Sequence, residues 1–470
     1  MKLLRICVPV VIATVMIAAI LAAPLAQTQQ QYILCAPGVV DTVRVSDEIS
    51  IFLSGRELKG RFVWPESDDG EFEPNSLPAI LLGHGFNGDY TNMSGRAAEL
   101  AQMCYVSLVF NWRGHGPNED DLRFFTFYDD EARADLEDVT LRLMTHLSPT
   151  LDLVDDDNLG MMGRSQGSLI TLLATADEAL RGLFRAMAPY DGIQWAADYA
   201  LPNDCLGASL GQHFDPQAVR TPQPSGGGLN DPGVAWATPI YADLSNAYLT
   251  NPPLLAEWEE ALAERNFLDE LANGYGGLDY PHVYLSTSWY DAGQHSDYMI
   301  TAYDILTPTT SAGNYPFHRI FISVDGHNDD PWNGTAAMRT YQRLSRLGWF
   351  RHYMPPDYVN PPTATPGDPL PPTATPYPVE AVVDSFDPDA APPLVPTFEL
   401  VGDTSWPPDH ITQMLYLESD GRLSNTPPGA GEGFDTIGQD YAGGYSISAA
   451  VAENPHYISW TTYLTPTTRI

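Results

Sequence analysis

Asn158-Leu-Gly-Met-Met-Gly-Arg-Ser-Gln-Gly-Ser-Leu-Ile-Thr-Leu-Leu-Ala-Thr-Ala176 divides into three parts. Residues 158–162 form a short apolar run of the kind that makes a buried strand, and Leu169 to Ala176 read as a helix. Between them lies Gly163-Arg-Ser-Gln-Gly167, a G-x-S-x-G pattern. A serine lifted on a tight strand-to-helix turn takes a strained backbone conformation. Side chains two residues to either side would collide with neighbouring elements, so both positions call for glycine. Five residues with two fixed glycines are a weak signal alone; the strand before and the helix after give it weight.

The flanking sequence repeats the alternation of strand and helix. Upstream, Ile49–Leu53 and Leu58–Trp64 read as strands with a turn between them. Ala79-Ile-Leu-Leu82 is a short buried strand ending at Gly83-His-Gly, and Tyr105–Phe110 is the next, ending at Arg113-Gly-His-Gly116. Residues 130–147 carry Leu136, Val139, Leu143 and Leu147 on one helical stripe. Downstream, residues 190–280 break the pattern with Gly/Pro-rich loops and one convincing helix, Leu254 to Ala272, and are expected to form a cap over the strand ends. The alternation resumes with a strand at 282–286, a helix near 297–306, a strand at 317–323 and a helix over 334–353. Such units predict a mostly parallel, doubly wound α/β sheet covered on both faces.

A serine hydroxyl is a poor nucleophile near neutral pH and needs an adjacent base held by a third group. Asp291, in Ser-Trp-Tyr-Asp-Ala-Gly, follows the strand 282–286, and His327, in Val-Asp-Gly-His-Asn, follows the strand ending at Ser323. Both fall on loops at the carboxyl edge of the predicted sheet, where such sites assemble. Asp297 and Asp325 compete for the acid and His295 for the base. His295 and Asp297 flank the start of a predicted helix, where capping explains them as well, and Asp325 also suits the turn before His327. The oxyanion needs two donors: Gln166 supplies one backbone N–H by position, and the loop Gly83-His-Gly-Phe-Asn-Gly-Asp-Tyr90 the other, through Phe86. His84 is then a loop-shaping residue. Arg113-Gly-His-Gly116 suits a tight turn better than direct catalysis. This chemistry requires no cofactor and no metal. Acidic runs such as Asp155-Asp-Asp157 lack the spaced ligands of a calcium loop and read as solvated turns.

The composition bounds the possibilities. With 470 residues, 44 % apolar, the chain has material for more than one core. A formal charge of −37 repels phosphate backbones and argues against nucleic-acid partners. Lys2 and Arg5 followed by the apolar run Cys7–Ala23 read as a secretory signal within 1–30; an uncleaved membrane anchor is the alternative. Beyond that run stand Cys35, Cys104 and Cys205, which allow one bridge but no disulfide framework. Cys104, in an apolar stretch, reads as a small buried residue.

Past 354 the texture changes. Residues 355–380 hold two copies of Pro-Pro-Thr-Ala-Thr-Pro, a stiff extended linker. From 381 to 470 the sequence is strand-like and turn-rich, and Ser405-Trp-Pro-Pro-Asp-His410, Leu415–Ser424 and Pro427–Asp435 are similar to the opening of the jelly-roll domain of X-prolyl dipeptidyl peptidases and cocaine esterase-like hydrolases. Ser288-Trp-Tyr-Asp291 resembles that family too. The resemblance covers 40–350 loosely and 396–470 more specifically. It implies an α/β-hydrolase domain over 38–354 with a cap at about 190–280, followed by an all-β jelly-roll-like domain, here truncated. It also implies hydrolysis of a small ester or peptide through an acyl-enzyme carried by Ser165, Asp291 and His327. The family usually has a tyrosine after the nucleophile, where this chain has Gln166, and often offers a tyrosine hydroxyl to the oxyanion, a role for which Tyr90 is the candidate. A rival of another class is a cell-surface binding module on a hydrolase scaffold without its chemistry; the repeated linker would suit it, and the complete Ser–Asp–His set argues against it.

Overall fold

The computed structural model describes residues 35, 40, 42–53, 56–67, 72–85, 88–116, 130–145, 152–192, 268, 271–272, 281–288, 296–307, 318–323, 336–356, 379–385, 397–403, 416–417 and 423–424. The first strands are β1 (Thr42–Val45), β2 (Ile49–Leu53) and β3 (Arg56–Glu66), with β1 and β2 both antiparallel to β3. Then β4 (Leu77–Gly83) leads through a 3₁₀ turn, Tyr90–Met93, into α1 (Ser94–Gln102) and β5 (Val106–Phe110). The chain continues with α2 (Asp130–Met144), β6 (Val154–Arg164), α3 (Gln166–Ala176), the short α4 (Glu178–Arg181) and β7 (Phe184–Tyr190). After the expected cap, which lies almost wholly outside the described residues, come β8 (His282–Ser288), α5 (Ser296–Leu306), β9 (His318–Ser323) and α6 (Ala336–Tyr353). The C-terminal strands are β10 (Val379–Ser385), β11 (Thr397–Asp403), β12 (Tyr416–Leu417) and β13 (Leu423–Ser424).

All but the last two strands belong to one sheet, ordered β1-β3-β5-β4-β6-β7-β8-β9-β10-β11, with β2 beside β3. The block from β5 to β10 is parallel throughout. Parallel strands are covered on both faces, so their side chains alternate between two apolar layers. Ala79 and Leu81 of β4, Leu159 and Met161 of β6, and Ile320 and Ile322 of β9 join one layer with Leu136, Val139 and Leu143 of α2 and Leu169, Leu172 and Leu173 of α3. Ile80, Leu82, Met162 and Phe321 join the other with Leu100 of α1 and Leu347, Trp349 and Phe350 of α6. Of the predicted α2 stripe, Leu147 lies outside the described residues.

The chain leaves β4 toward β5 on one side and later returns to β6 on the other. Ligands of open α/β sheets bind at the carboxyl ends of the strands where the order reverses in this way.

One feature differs from the sequence reading. Residues 379–385 and 397–403, expected to fall in a linker and a separate jelly-roll-like domain, instead extend this sheet: β10 runs parallel to β9, with Glu380 opposite Phe321, and β11 is antiparallel to β10. The reason is a buried ion pair, Arg319 with Glu380, that ties β10 to β9. Beyond 403 the described residues show only the small hairpin β12–β13, and no jelly roll is described there. Of the bridges the cysteines allow, one forms: Cys104, fully buried as expected, is joined to Cys35, their Cα atoms 5.8 Å apart.

Closing a loop of sequence separation 69 restricts the unfolded chain by roughly 4 kcal/mol in the chain-entropy account. Reductant should therefore lower the melting temperature of the wild type and leave a Cys35→Ser variant, already lowered, unaffected. Equal melting curves with and without reductant would remove the bond from the stability argument.

Candidate active site

Ser165 stands between β6 and α3 with φ 54° and ψ −116°. This left-handed region is costly for a residue with a Cβ, by about 1–3 kcal/mol, and persists where surrounding structure imposes it. The imposing contacts are visible. The Ser165 N–H donates to the Tyr190 carbonyl at the end of β7 (3.1 Å), and the Ser165 carbonyl accepts from Leu169, closing the first turn of α3 (3.1 Å). A Cβ at Gly163 would lie 2.0 Å from the Gly167 carbonyl oxygen, and one at Gly167 would lie 2.4 Å from the Gly83 oxygen. Both glycines of the motif are thus required by the closeness of β4, β6 and α3, as the pattern predicts.

Gln166 opens α3, and the first N–H groups of a helix have no partner within it. The Gly167 N–H finds one outside, the His84 carbonyl (3.1 Å). The Gln166 N–H, in the same first turn, lies between that anchored group and Ser165 in the chain.

The loop after β4 passes directly over the serine. A Cβ at Gly85 would sit 3.0 Å from the Ser165 Cβ and 3.6 Å from its Oγ. His84 is completely buried and shapes this loop, as its sequence context suggests. Its Nδ1 hydrogen-bonds the Gly85 carbonyl (2.7 Å), and its Nε2 accepts from the Trp112 N–H (3.2 Å). This pairing places the proton on Nδ1. Burial holds its pKa down at about 4, so the ring is neutral through the physiological range.

The Tyr90 hydroxyl, the candidate tyrosine donor, is engaged with Glu48. A phenol has one proton, and here it is donated to the Glu48 carboxylate (2.6 Å), with the Arg61 guanidinium 5.3 Å from the ring centre. Burial first, then Glu48, push its pKa above the usual tyrosine value. Phe86, Asp291, His327, and the competitors His295 and Asp325, lie outside the described residues, as does the side chain of Asp297, the second residue of α5. The sheet nevertheless fixes where their loops start. Asp291 shortly follows β8 and His327 shortly follows β9, and both strands are parallel to β6 and open on the same edge as Ser165. With neighbouring strands about 4.8 Å apart, the end of β8 stands roughly 10 Å from that of β6.

Sequence reasoning missed Asp191. It directly follows β7, the neighbour of the strand that leads into Ser165, is buried, and also has a positive φ, 48°. Its N–H donates to the Ser286 carbonyl of β8 (3.2 Å), and its carboxylate lies 3.5 Å from Nε of Arg164, the residue before the serine. No local pattern marks it. Asp155, Asp156 and Asp157, whose carboxylates lie within 4.8 Å of one another, sit at the opposite end of β6 from the serine and take no part in the site.

A doubly wound parallel sheet of this order, with a strained serine where the order reverses, defines the α/β-hydrolase fold. No protein-family model and no curated protein matches the sequence. Among solved structures the chain is similar to an acylaminoacyl peptidase of Pyrococcus horikoshii (17 % identity, TM-score 0.42, 67 % of this chain and 42 % of that one). An esterase of Pyrococcus furiosus is similar at 14 % identity and TM-score 0.39, with 68 % of this chain and 100 % of that one covered. An esterase of Pyrobaculum calidifontis follows at 14 % and 0.36, with 66 % and 84 % covered. The chain thus spans about two fifths of the acylaminoacyl peptidase, 42 %.

Proposed function

We propose that the protein is an exported serine hydrolase that cleaves an ester or amide bond through an acyl-enzyme. The observation that carries the reading is the backbone of Ser165: a strained serine at the head of a buried helix, under a glycine loop, at the reversal point of a parallel sheet. In this reading Ser165 Oγ attacks the carbonyl carbon while His327 takes its proton, and Asp291 orients the imidazole. The oxyanion accepts hydrogen bonds from the Gln166 N–H and from one N–H of the loop after β4, Phe86 by sequence. The imidazolium then gives its proton to the leaving alcohol or amine. Water, deprotonated by the same imidazole, releases the acid and restores the serine.

Export is supported by the Cys35–Cys104 bridge, because disulfides persist in oxidising compartments. Among the described residues no helix is long and apolar enough to cross a membrane. For the bond cleaved, the family resemblance favours an X-prolyl dipeptidyl peptidase-like activity. A carboxylesterase is the second reading, favoured by the commitment of the Tyr90 hydroxyl to Glu48, which withdraws the tyrosine donor that peptidase family often uses. Rates on Gly-Pro-nitroanilide and nitrophenyl butyrate compare the two.

Incubation of folded protein with a fluorophosphonate, followed by peptide mass spectrometry, should find one adduct, on Ser165. Folded protein that takes no adduct would return the chain to the binding-module class, and an adduct on another serine would remove Ser165 as the nucleophile.

A further inference from the structure

The motif after β5, Asn111-Trp-Arg-Gly-His-Gly116, takes no part in the chemistry above, yet nearly all of it is buried. Its contacts converge on the loop that passes over Ser165. The Trp112 backbone N–H donates to His84 Nε2 (3.2 Å), and its indole Nε1–H donates to the His84 carbonyl (2.8 Å). That carbonyl is the one accepting the Gly167 N–H from the first turn of α3. One residue therefore grips His84 through both ring and carbonyl and shares an acceptor with the nucleophile helix. The indole also fills the space over β4: a Cβ at Gly83 would come within 2.6 Å of it. At the far end of the same loop, the Tyr90 N–H donates to Asn111 Oδ1 (2.7 Å), and Asn111 itself is held by the Lys59 carbonyl of β3 (2.9 Å).

The remainder of the motif anchors this grip. Arg113 forms a two-point ion pair with Asp135 of α2, its Nη2 2.5 Å from Oδ1 and its Nε against Oδ2, and both side chains are buried. A guanidinium so paired is rigid in direction as well as distance. The His115 ring stands edge-on to His84, centres 5.1 Å apart, with Nδ1 on the Arg113 carbonyl (2.9 Å). Gly116 turns with φ 58°, where a Cβ would meet the Asn111 amide at 2.5 Å.

We propose that residues 111–116 are a brace for the oxyanion loop, with Trp112 as a positioning residue that sets the distance between that loop and the first turn of α3. The inference rests on the serine-hydrolase reading. Oxyanion donors act only when their N–H groups are held where the charge develops, and a displacement of well under an ångström weakens them. Releasing the His84 carbonyl from the indole frees the loop to shift relative to Gln166, while substrate binding elsewhere is untouched.

The test uses the full chain with nitrophenyl butyrate and the corresponding thionoester. Sulfur accepts hydrogen bonds weakly, so a thionoester gains less from an oxyanion hole than its oxygen counterpart. Trp112→Phe should lower kcat on the oxygen ester by about tenfold or more, with KM nearly unchanged. The rate on the thionoester should fall less, so the ester-to-thionoester ratio drops. That ratio does not depend on how much protein is folded, so a purely structural role would not move it. Because Trp112→Phe opens a gap, 3-benzothienylalanine at position 112 is the second variant. It keeps the shape of indole and lacks only the N–H. An unchanged ratio in this isosteric variant, with an active wild type, overturns the brace. A wild type that neither labels at Ser165 nor hydrolyses either ester overturns the hydrolase reading instead.

Discussion

Ser165→Ala should leave a folded protein whose kcat on any ester or amide substrate is lower by roughly a million-fold, the usual consequence of removing a serine that acts with a histidine and an acid as one unit. Its melting temperature should stay close to that of the wild type, because a single hydroxyl is removed and the backbone strain remains. The strain gives a second, independent readout. At φ 54° and ψ −116° any residue with a Cβ is penalised, alanine included. Ser165→Gly escapes that penalty of about 1–3 kcal/mol, less the 0.4–1 kcal/mol by which glycine loosens the unfolded chain. The glycine variant is therefore expected to melt a few degrees above the alanine variant while being equally inactive. Calorimetry and a nitrophenyl butyrate assay on the same two preparations check both statements. A serine that served only as a turn residue would show neither the loss of rate nor its separation from stability.

The parts of the fold legible in the sequence are those whose signal is local. β4, β5 (but for Ser107) and residues 159–163 of β6 are nearly continuous apolar runs because both faces of a parallel sheet are covered. The elbow was legible because its two glycines and serine fall within five consecutive residues, even though the contacts that impose them reach to Gly83 and Tyr190. β7, Phe-Arg-Ala-Met-Ala-Pro-Tyr, was not legible. It has no β-branched residue and carries a proline, and it is a strand because β6 and β8 pair with it on either side. α1, with Gly95 and only one leucine in the turns that follow, shows too little periodicity to be read, and its helicity comes from packing against β3 and β5. The site divides in the same way. Ser165 and the neighbouring Gln166 are local. The bond from Trp112 to His84 joins residues 28 apart, and the strained Asp191 is placed by a carbonyl of β8 far along the chain. No periodicity encodes such contacts.

Glu380 carries the remaining large expectation. It follows a proline-rich stretch, and by composition it belongs to a linker, yet it is 0 % exposed, as is its partner Arg319 of β9. Tyr341 of α6 donates its hydroxyl to the carboxylate, 2.8 and 3.0 Å from its two oxygens, and the Tyr284 ring lies 5.9 Å from the guanidinium. Burial foremost, and then Glu380, raise the pKa of Tyr341, which keeps it a donor at any pH the protein meets. Nε and Nη1 of Arg319 find no acceptor among the described residues, so Glu380 is the main compensation for a charge withdrawn from water. Glu380→Gln should therefore cost about 3–5 kcal/mol, the usual result of stranding one member of a buried pair, and lower the melting temperature by roughly 5–15 °C. Arg319→Met combined with Glu380→Leu should recover much of that loss, because two apolar side chains of similar volume carry no desolvation penalty. A melting temperature for Glu380→Gln within a degree or two of the wild type would mean the pair is solvated and β10 is only loosely held. If the pair is buried as described, a chain ended at 354 loses the strand that covers β9 and leaves Arg319 unpaired at a raw sheet edge. Such a chain should aggregate, so the unit that folds around this sheet has to include the strand at 379–385.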